Sequence, residues 1–362
     1  MINFLNSPEF NVLIDDVVLD WFCLINTKGV GPKTFWALMR AYKTAKESLK
    51  HVSNPFPRNT AEKILRSVDC NIILANENTF PKGLKRSCFC PPILYYRGNK
   101  SILEKKKIAI IGARNASLSG MSIAKNLASK LSDKFAIISG LAKGIDTNAH
   151  IGSLEIPEDE AAIAVLPTGI NKVYPKENKD LCEKIAKHGL LLTEVTPCSG
   201  PDLGMFQARN RIVSLLADGM IIIEAAAKSG TLATAKAALD VGCEVMVVPG
   251  SPVDPRSFGS NLLIKNGATL IQNHLDVLDV LQFDENFERP EIPDQTITTI
   301  DDEKNTNSLK DRVLSLLSTK AVSLDEIAYH TNLSIPKLLC IISELEISGK
   351  IVKHATNEVS LA

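Results

Sequence analysis

The sequence predicts an α/β protein built on a doubly wound, mostly parallel sheet, with a small helical unit before it and a winged helix after it. Three observations carry that prediction. Between residues 107 and 281, short apolar runs alternate with stretches of helical spacing, the grammar of parallel strands covered by helices on both faces. The first of these runs stop at glycine: Ile108–Ile111 at Gly112, and Phe135–Ser139 at Gly140. The stretches on either side, 15–50 and 309–349, follow helical spacing instead.

In chain order, Asp15 or Asp16 can cap a helix that runs to about Thr27, and Pro32 stands where the next helix begins, after the hairpin Lys28-Gly29-Val30-Gly31. Helix, G-V-G hairpin and helix resemble the helix–hairpin–helix element, whose hairpin amides hold a DNA phosphate without reading bases. Lys28, Lys33, Arg40, Lys43, Lys46 and Lys50 stand there against Glu47. They suit that role equally as a plain solvated face. From His51 to Asn99 the chain is mixed: Ile72–Leu74 fits a short strand, and the prolines before Tyr95 and Tyr96 mark a connector pinned to a neighbouring domain. Both tyrosines fit core positions better than base-stacking ones.

The alternation then supplies strands Ile108–Ile111, Phe135–Ser139, Ala161–Leu166, Leu190–Thr193, Gly219–Glu224 and Glu244–Val248. Helices fall near Ile123–Leu131, Glu177–Lys187, Gln207–Ala217 and Thr231–Val241. Residues 283–307 are dominated by Asp and Glu and read as an extended linker. In the tail, Leu309–Leu317 is helical and Ser323-Leu324-Asp325-Glu326 is a capping box. Ser334 caps a third helix that stops before Gly349, and Lys350–His354 with Glu358–Leu361 form a hairpin. The expected domains are 1–75 (helical), 76–282 (sheet), 283–307 (linker) and 308–362 (winged helix).

A chain of 362 residues with 45% hydrophobic content can bury a large core. Its net charge is zero, so any nucleic-acid site must be a local patch. The N-terminus has no cationic start and no apolar h-region, and no run reaches membrane length. The expectation is a soluble, cytoplasmic protein. Cysteines are scattered apart from Cys88 and Cys90, which lack a second pair or a nearby His, so no metal site is expected.

Ligands of open parallel sheets sit beyond the carboxyl ends of the strands. Those ends carry Gly112-Ala113-Arg114, then Gly140-Leu141-Ala142-Lys143-Gly144, then Thr168-Gly169 followed by Lys172, Tyr174 and Lys176. Phe206-Gln207-Ala208-Arg209-Asn210-Arg211 opens a helix, and Ser229-Gly230-Thr231 offers hydroxyls and amides at another helix start. Glycine turns, helix starts and cations together make a phosphate-facing edge. Arg209 and Arg211 point to different sides of one helix, so one of them faces the site. The first turn lacks G-x-G-x-x-G and no acidic residue ends the second strand, which argues against a dinucleotide; no Walker motif is present. Asp146 reads as a helix cap and His150 as a packed side chain. No nucleophile–base pair or carboxylate dyad is apparent, so neither catalytic residues nor a cofactor are assigned.

The blocks IAIIGARNAS, IISGLAKGIDTNAH, AVLPTGINKVYPKEN, GLLLTE, FQARNRIVSLL, IIIEAAAKSGTL and VPGSP, in that order, resemble the DNA-processing protein family DprA, also called Smf. The resemblance runs from about Phe80 to Leu281 and extends more weakly to both flanking units. It implies an extended Rossmann-like sheet domain, a SAM- or helix–hairpin–helix-like N-terminal domain and a winged-helix tail. It further implies binding of single-stranded DNA, loading of the recombinase RecA in natural transformation, and a homodimer formed through the sheet domain. The DNA-binding residues so expected are Gly112, Arg114, Gly140, Lys143, Gly144, Lys172, Lys176, Arg209, Asn210, Arg211, Ser229, Gly230 and Thr231. The sequence departs from the family pattern at Cys90, Ala113, Pro167 and Asn171. A second reading, similar to nucleotide phosphoribohydrolases or nucleotide sensors, would rest on Glu224 as its carboxylate. The tail balances Lys310, Arg312, Lys320, Lys337, Lys350 and Lys353 against Asp311, Asp325, Glu326, Glu344, Glu346 and Glu358. It is expected to bind a partner or regulate rather than read DNA.

Overall fold

A computed structural model describes residues 14–155 and 161–281, and in the tail 313–314, 317, 322–331, 335–354 and 358–361. The acidic linker expected over 283–307 lies outside the described residues.

Helix α1 (Asp16–Asn26) starts because the Asp15 carboxylate accepts the Val18 amide at 2.8 Å. The hairpin turns at Gly29 (φ 84°), and α2 (Pro32–Tyr42) begins with Pro32. Helices α3 (Ala45–Leu49) and α4 (Arg58–Arg66) complete the unit. Trp21, Phe35 and Trp36 pack ring against ring at 5.1–5.8 Å. Arg58 reaches back to Asp16 and Asp20, which is how α1 can bury a carboxylate. The unit is docked on the sheet domain. Phe22 meets Tyr95, Trp36 Nε1 donates to the Cys90 carbonyl at 2.8 Å, and Thr196 Oγ1 donates to Asn26 Oδ1 at 2.5 Å.

Among the described residues the main sheet has nine strands. They are β1 (Asn71–Leu74), β2 (Ile93–Gly98), β3 (Lys107–Gly112), β4 (Ala136–Ser139), β5 (Ala162–Val165), β6 (Gly189–Thr193), β7 (Gly219–Ile223), β8 (Glu244–Val248) and β9 (Thr269–Leu270). Their order is β1-β2-β6-β5-β4-β3-β7-β8-β9. From β6 to β9 every pair is parallel, whereas β2 runs antiparallel to both β1 and β6. The chain winds outward from β3 to β6, then returns to β3's other side as β7. The β3/β7 boundary is therefore the switch point where such sheets open a crevice.

Successive residues of β3 serve opposite layers: Ala109 and Ile111 join one core, Ile108 and Ile110 the other. The first layer is covered by α8 (Lys179–His188), α9 (Leu203–Leu216) and α10 (Gly230–Asp240), the second by α6 (Leu118–Leu131), α7 (Ile145–Ser153) and α12 (His274–Val280). A short helix α5 (Lys82–Lys85) precedes β2, and α11 (Phe258–Lys265) precedes β9.

Three strands differ from expectation. The segment read as a proline-pinned connector contains β2, a full sheet member with Tyr95 and Tyr96 buried. β1, inside the segment assigned to the helical unit, hydrogen-bonds to β2 and so belongs to the same sheet. β9 extends the sheet beyond β8.

The tail forms its own compact unit. Helices Leu324–Thr331 and Ile335–Ile347 pack with Val313 and Leu317 over a three-stranded sheet, and Gly349 (φ 70°) ends the second helix in the left-handed conformation. Beyond the expected hairpin, Val322–Ser323 adds a strand against Glu358–Leu361.

Candidate functional site

The crevice at the switch point is a cleft of about 580 Å³ at the carboxyl edge of the sheet. Its walls are the turn after β3 (Gly112–Asn115), the turn after β4 (Gly140, Ala142), the start of α10 (Ser229–Thr231) and the inward side of α9 (Arg209, Asn210, Val213). Lys228 and Arg256 stand at its rim, both exposed.

The floor is a closed network. Arg209 is 5% exposed, and its Nη1 donates to the carbonyls of Gly140 and Val165 while its Nε donates to Asn210 Oδ1 at 2.9 Å. A Cβ on residue 140 would fall 1.7 Å from that Nη1, so glycine there makes room for the guanidinium. Asp146 is buried in the first turn of α7 and accepts the amides of Gly140 (3.1 Å) and Ala142 (3.3 Å). Burial pushes its carboxyl above the ordinary aspartate range, and Arg209 and those two amides oppose the rise. The cap of α7 is Gly144 (φ 77°), not Asp146, which instead folds the β4 turn onto itself. Two of the amides expected to face a phosphate are thus occupied by Asp146. His150, one turn along α7, is fully buried, as its packed reading required.

The outer surface is built differently. Ser229 caps α10, and Thr231 Oγ1 reaches the Gly112 carbonyl at 3.3 Å, tying the start of that helix to the end of β3. An eleven-residue helix thus directs its positive end at the cleft. Arg114 is exposed, with its guanidinium carbon 5.4 Å from the centre of the Phe206 ring. Phe206 meets Tyr174 edge-on at 5.5 Å. This row leads from the cleft to the loop after β5, where Lys172 and Lys176 are exposed.

The structure sorts the expected residues. Gly112, Arg114, Gly140, Arg209, Asn210, Ser229, Gly230 and Thr231 line one cleft. Lys143 is exposed but pairs with Glu177 at 2.6 Å, on the side of the β5 loop. Lys172 and Lys176 flank the cleft without lining it. Arg211 lies away from it, paired with Glu194 at 2.5 Å, so Arg209 is the member of that pair that faces inward. Glu224 sits outside the cleft lining, where its carboxylate accepts both the Ser117 amide (2.8 Å) and hydroxyl. It pins the start of α6. Asn171, one of the departures, holds the β5 loop to the β6 loop through Cys198. Cys90, another, presents its carbonyl to Trp36.

Sequence reasoning gave Phe206 no role in the site and missed Lys228 and Arg256. Phe206 occupies an ordinary apolar helix position and Lys228 a solvent-like loop, so neither carries a local signal. Among the described residues, no cluster of His, Cys, Asp and Glu has the makings of a metal site, and no helix is long and apolar enough to cross a membrane.

Comparison with known proteins agrees with this architecture part by part. The family model for DNA recombination-mediator protein A matches residues 71–282, the DprA-like N-terminal HHH domain matches 15–62, and the DprA winged helix domain matches 300–356. DNA processing protein DprA of Streptococcus pneumoniae is 38% identical over 207 residues, 57% of this chain and 73% of that protein. Protein Smf of Escherichia coli is 30% identical over 299 residues, covering 81% of this chain and 79% of its own. The X-ray structure of the S. pneumoniae protein superposes with a TM-score of 0.58 at 33% identity, over 65% of this chain and 80% of that one. A structure of DNA processing protein A from Helicobacter pylori, concerned with its single-stranded DNA binding mode, gives 0.54 at 30% identity, over 59% and 96%. With the matched family model spanning the whole sheet domain, the chain belongs to the DNA recombination-mediator protein A family, the DprA or Smf proteins.

Proposed function

We propose that this chain binds single-stranded DNA by its backbone along the carboxyl edge, and hands it to a RecA-type recombinase as a cytoplasmic homodimer. The observation that carries the reading is the cleft at the β3/β7 switch point, where Arg114, Lys228 and the start of α10 converge beside the Phe206–Tyr174 pair. Cations and helix amides recognise phosphate without regard to sequence, and aromatic faces accept any base. The single-stranded DNA binding described for the H. pylori relative supports the same reading. The contact between Glu224 and Ser117 favours binding over glycosidic hydrolysis, because that carboxylate already serves the α6 start.

A dimer is supported by the far edge of the sheet. Val253, Phe258, Leu262 and Leu270 are exposed around α11 and the edge strand β9, and such an apolar patch on an edge calls for a partner. Light scattering at tens of micromolar, an order-of-magnitude working range for transient interfaces, should show a dimer that Leu262→Arg dissociates. Binding itself is tested by titrating single strands, duplex and free nucleotides across salt. Single strands should bind most tightly, with a log–log salt slope of about −2 to −3.5 for three to five phosphates. Equal affinity for nucleoside monophosphates would sink the reading.

A further inference from the structure

A second groove, of about 380 Å³, lies where α2 meets the residues around α5, outside the cleft. It is lined by Lys33, Trp36, Arg40, Ala75, Lys85, Ser87, Cys88 and Cys90. Lys33 and Arg40 stand two helical turns apart on α2 with Trp36 between them, so all three share one face. Both cations are exposed, as is Lys85 on the opposite wall, whose Nζ donates to the Glu77 carbonyl at 3.0 Å and stands 5.8 Å from the centre of the Phe80 ring. No carboxylate lines the groove among the described residues. Three cations with no lining acid, around an indole whose NH is fixed to the Cys90 carbonyl, suit a polyanion with planar groups.

Its place in the fold names the occupant. Ala75 follows β1, and its amide donates to the Pro92 carbonyl just before β2 begins. Since β1 runs antiparallel to β2, and β2 antiparallel to β6, the end of β1 lies on the carboxyl edge, like the cleft. The order β1-β2-β6-β5-β4-β3 sets the two sites five strand spacings apart, or roughly 24 Å. Lys172 and Lys176 lie along that interval on the β5 loop. We propose that the α2/α5 groove is the far end of the same single-strand track. The strand leaves the cleft, passes the β5 loop and ends with its phosphates on Lys33, Arg40 and Lys85. The inference rests on the cleft reading and adds a length to it: about seven nucleotides at a stacked spacing of about 3.4 Å, fewer when unstacked.

The test is fluorescence anisotropy with labelled oligothymidylates of about four and about twenty nucleotides, lengths chosen to fall short of that span even when unstacked and to exceed it. It compares the full-length chain with the double variant Lys33→Ala/Arg40→Ala and with Lys85→Ala. Each contact contributes about 0.7 log units between 1 M and 0.1 M salt, so the double variant should lose about 25-fold for the long strand at 0.1 M, flatten its salt slope by about 1.4, and leave the short one unchanged. Lys85→Ala should show about half the slope change. Unchanged long-strand binding in both variants would overturn the groove. So would equal losses for both lengths, or a loss confined to a twenty-base-pair duplex. Failure of the unsubstituted chain to bind either oligonucleotide would bring down the cleft reading, and the groove with it.

Discussion

The two ends of the nine-stranded sheet carry cavities of unequal size, and the larger one is at the end with the weaker chemistry. At the amino edge a hollow of about 1040 Å³ is lined by Lys82, Arg86, Lys100 and Lys107, but also by Glu104, Asp218 and Asp240. Helices α9 and α10 end there, presenting their negative poles. One of its cations is already engaged: Lys107 Nζ donates to the carbonyls of Leu103 (3.1 Å) and Lys105 (2.7 Å). At the carboxyl edge the cleft has little more than half that volume, yet a helix begins at it, and its one lining carboxylate, Asp146, is buried beside Arg209. Strand direction causes the difference. Parallel strands force every following helix to start on the carboxyl side, so helix poles and turn amides accumulate at one end. Volume alone is a poor guide to an anion site.

The carboxyl edge is therefore also where the fold depends on buried charge, and the largest effects should appear there. Arg209→Ala removes the tie between the β4 turn and β5 and leaves Asp146 buried without its cation. Leaving the buried carbonyls of Gly140 and Val165 without their donor costs about 1–3 kcal/mol for each unsatisfied group, readable by urea denaturation. A loss below about 1 kcal/mol, the range of surface substitutions, would show that the network is not what holds the cleft floor. His150, behind that floor, should make stability depend on pH. Burial, reinforced by Arg209, pushes its imidazole down to about 3, while an unfolded chain protonates near 6.5. Between those values only the unfolded chain binds the extra proton. Stability is then whole above 6.5 and is lost as pH falls, by about 2 kcal/mol at pH 5. In His150→Leu the difference between pH 7 and pH 5 should shrink by about that amount; no change would mean that the folded imidazole protonates normally.

Arg114 offers the opposite case: an exposed cation whose loss should cost function and not stability. Arg114→Ala should unfold within about 0.5 kcal/mol of the parent, as surface changes do. Its affinity for single strands should fall about fivefold at 0.1 M salt, with a slope flatter by about 0.7 for every sequence tested. A variant that loses stability but keeps its salt slope would reverse the assignments of Arg114 and Arg209.

That contrast also marks where the sequence stops being legible. Strands β3 to β8 could be read because each is a short apolar run ending in a turn or charged residue. β2 could not, because Pro91 and Pro92 make its start look like a connector and only long-range pairing with β6 makes it a strand. β9 is two residues long, below any periodic signal. The turn glycines at 112, 140 and 144 were visible as turns, but what fills the space at Gly140 was not, since Arg209 lies far along the chain. Spacing placed Arg209 and Arg211 on different sides of α9. It could not say which side holds Glu194, and that decides which arginine faces the cleft.

The smallest expected effect is at the amino edge, and it tests whether polarity or net cation count governs binding. Lys100 is exposed there and lines the larger hollow. If any surface cation could recruit a strand, Lys100→Glu should weaken binding more than Arg114→Ala, since it changes the local charge by two units. The sheet geometry predicts otherwise. The six residues of β3 separate the two ends by roughly 20 Å at about 3.3 Å per residue, which is about two Debye lengths at 0.1 M salt. A strand in the cleft would scarcely sense Lys100, and the carboxylates that line the same hollow cancel much of its field. Affinity should therefore stay within about twofold and the salt slope within about 0.2, well under the 0.7 of one lost contact. A slope change of a full contact or more would place DNA on the amino edge as well, and the polarity argument would fail.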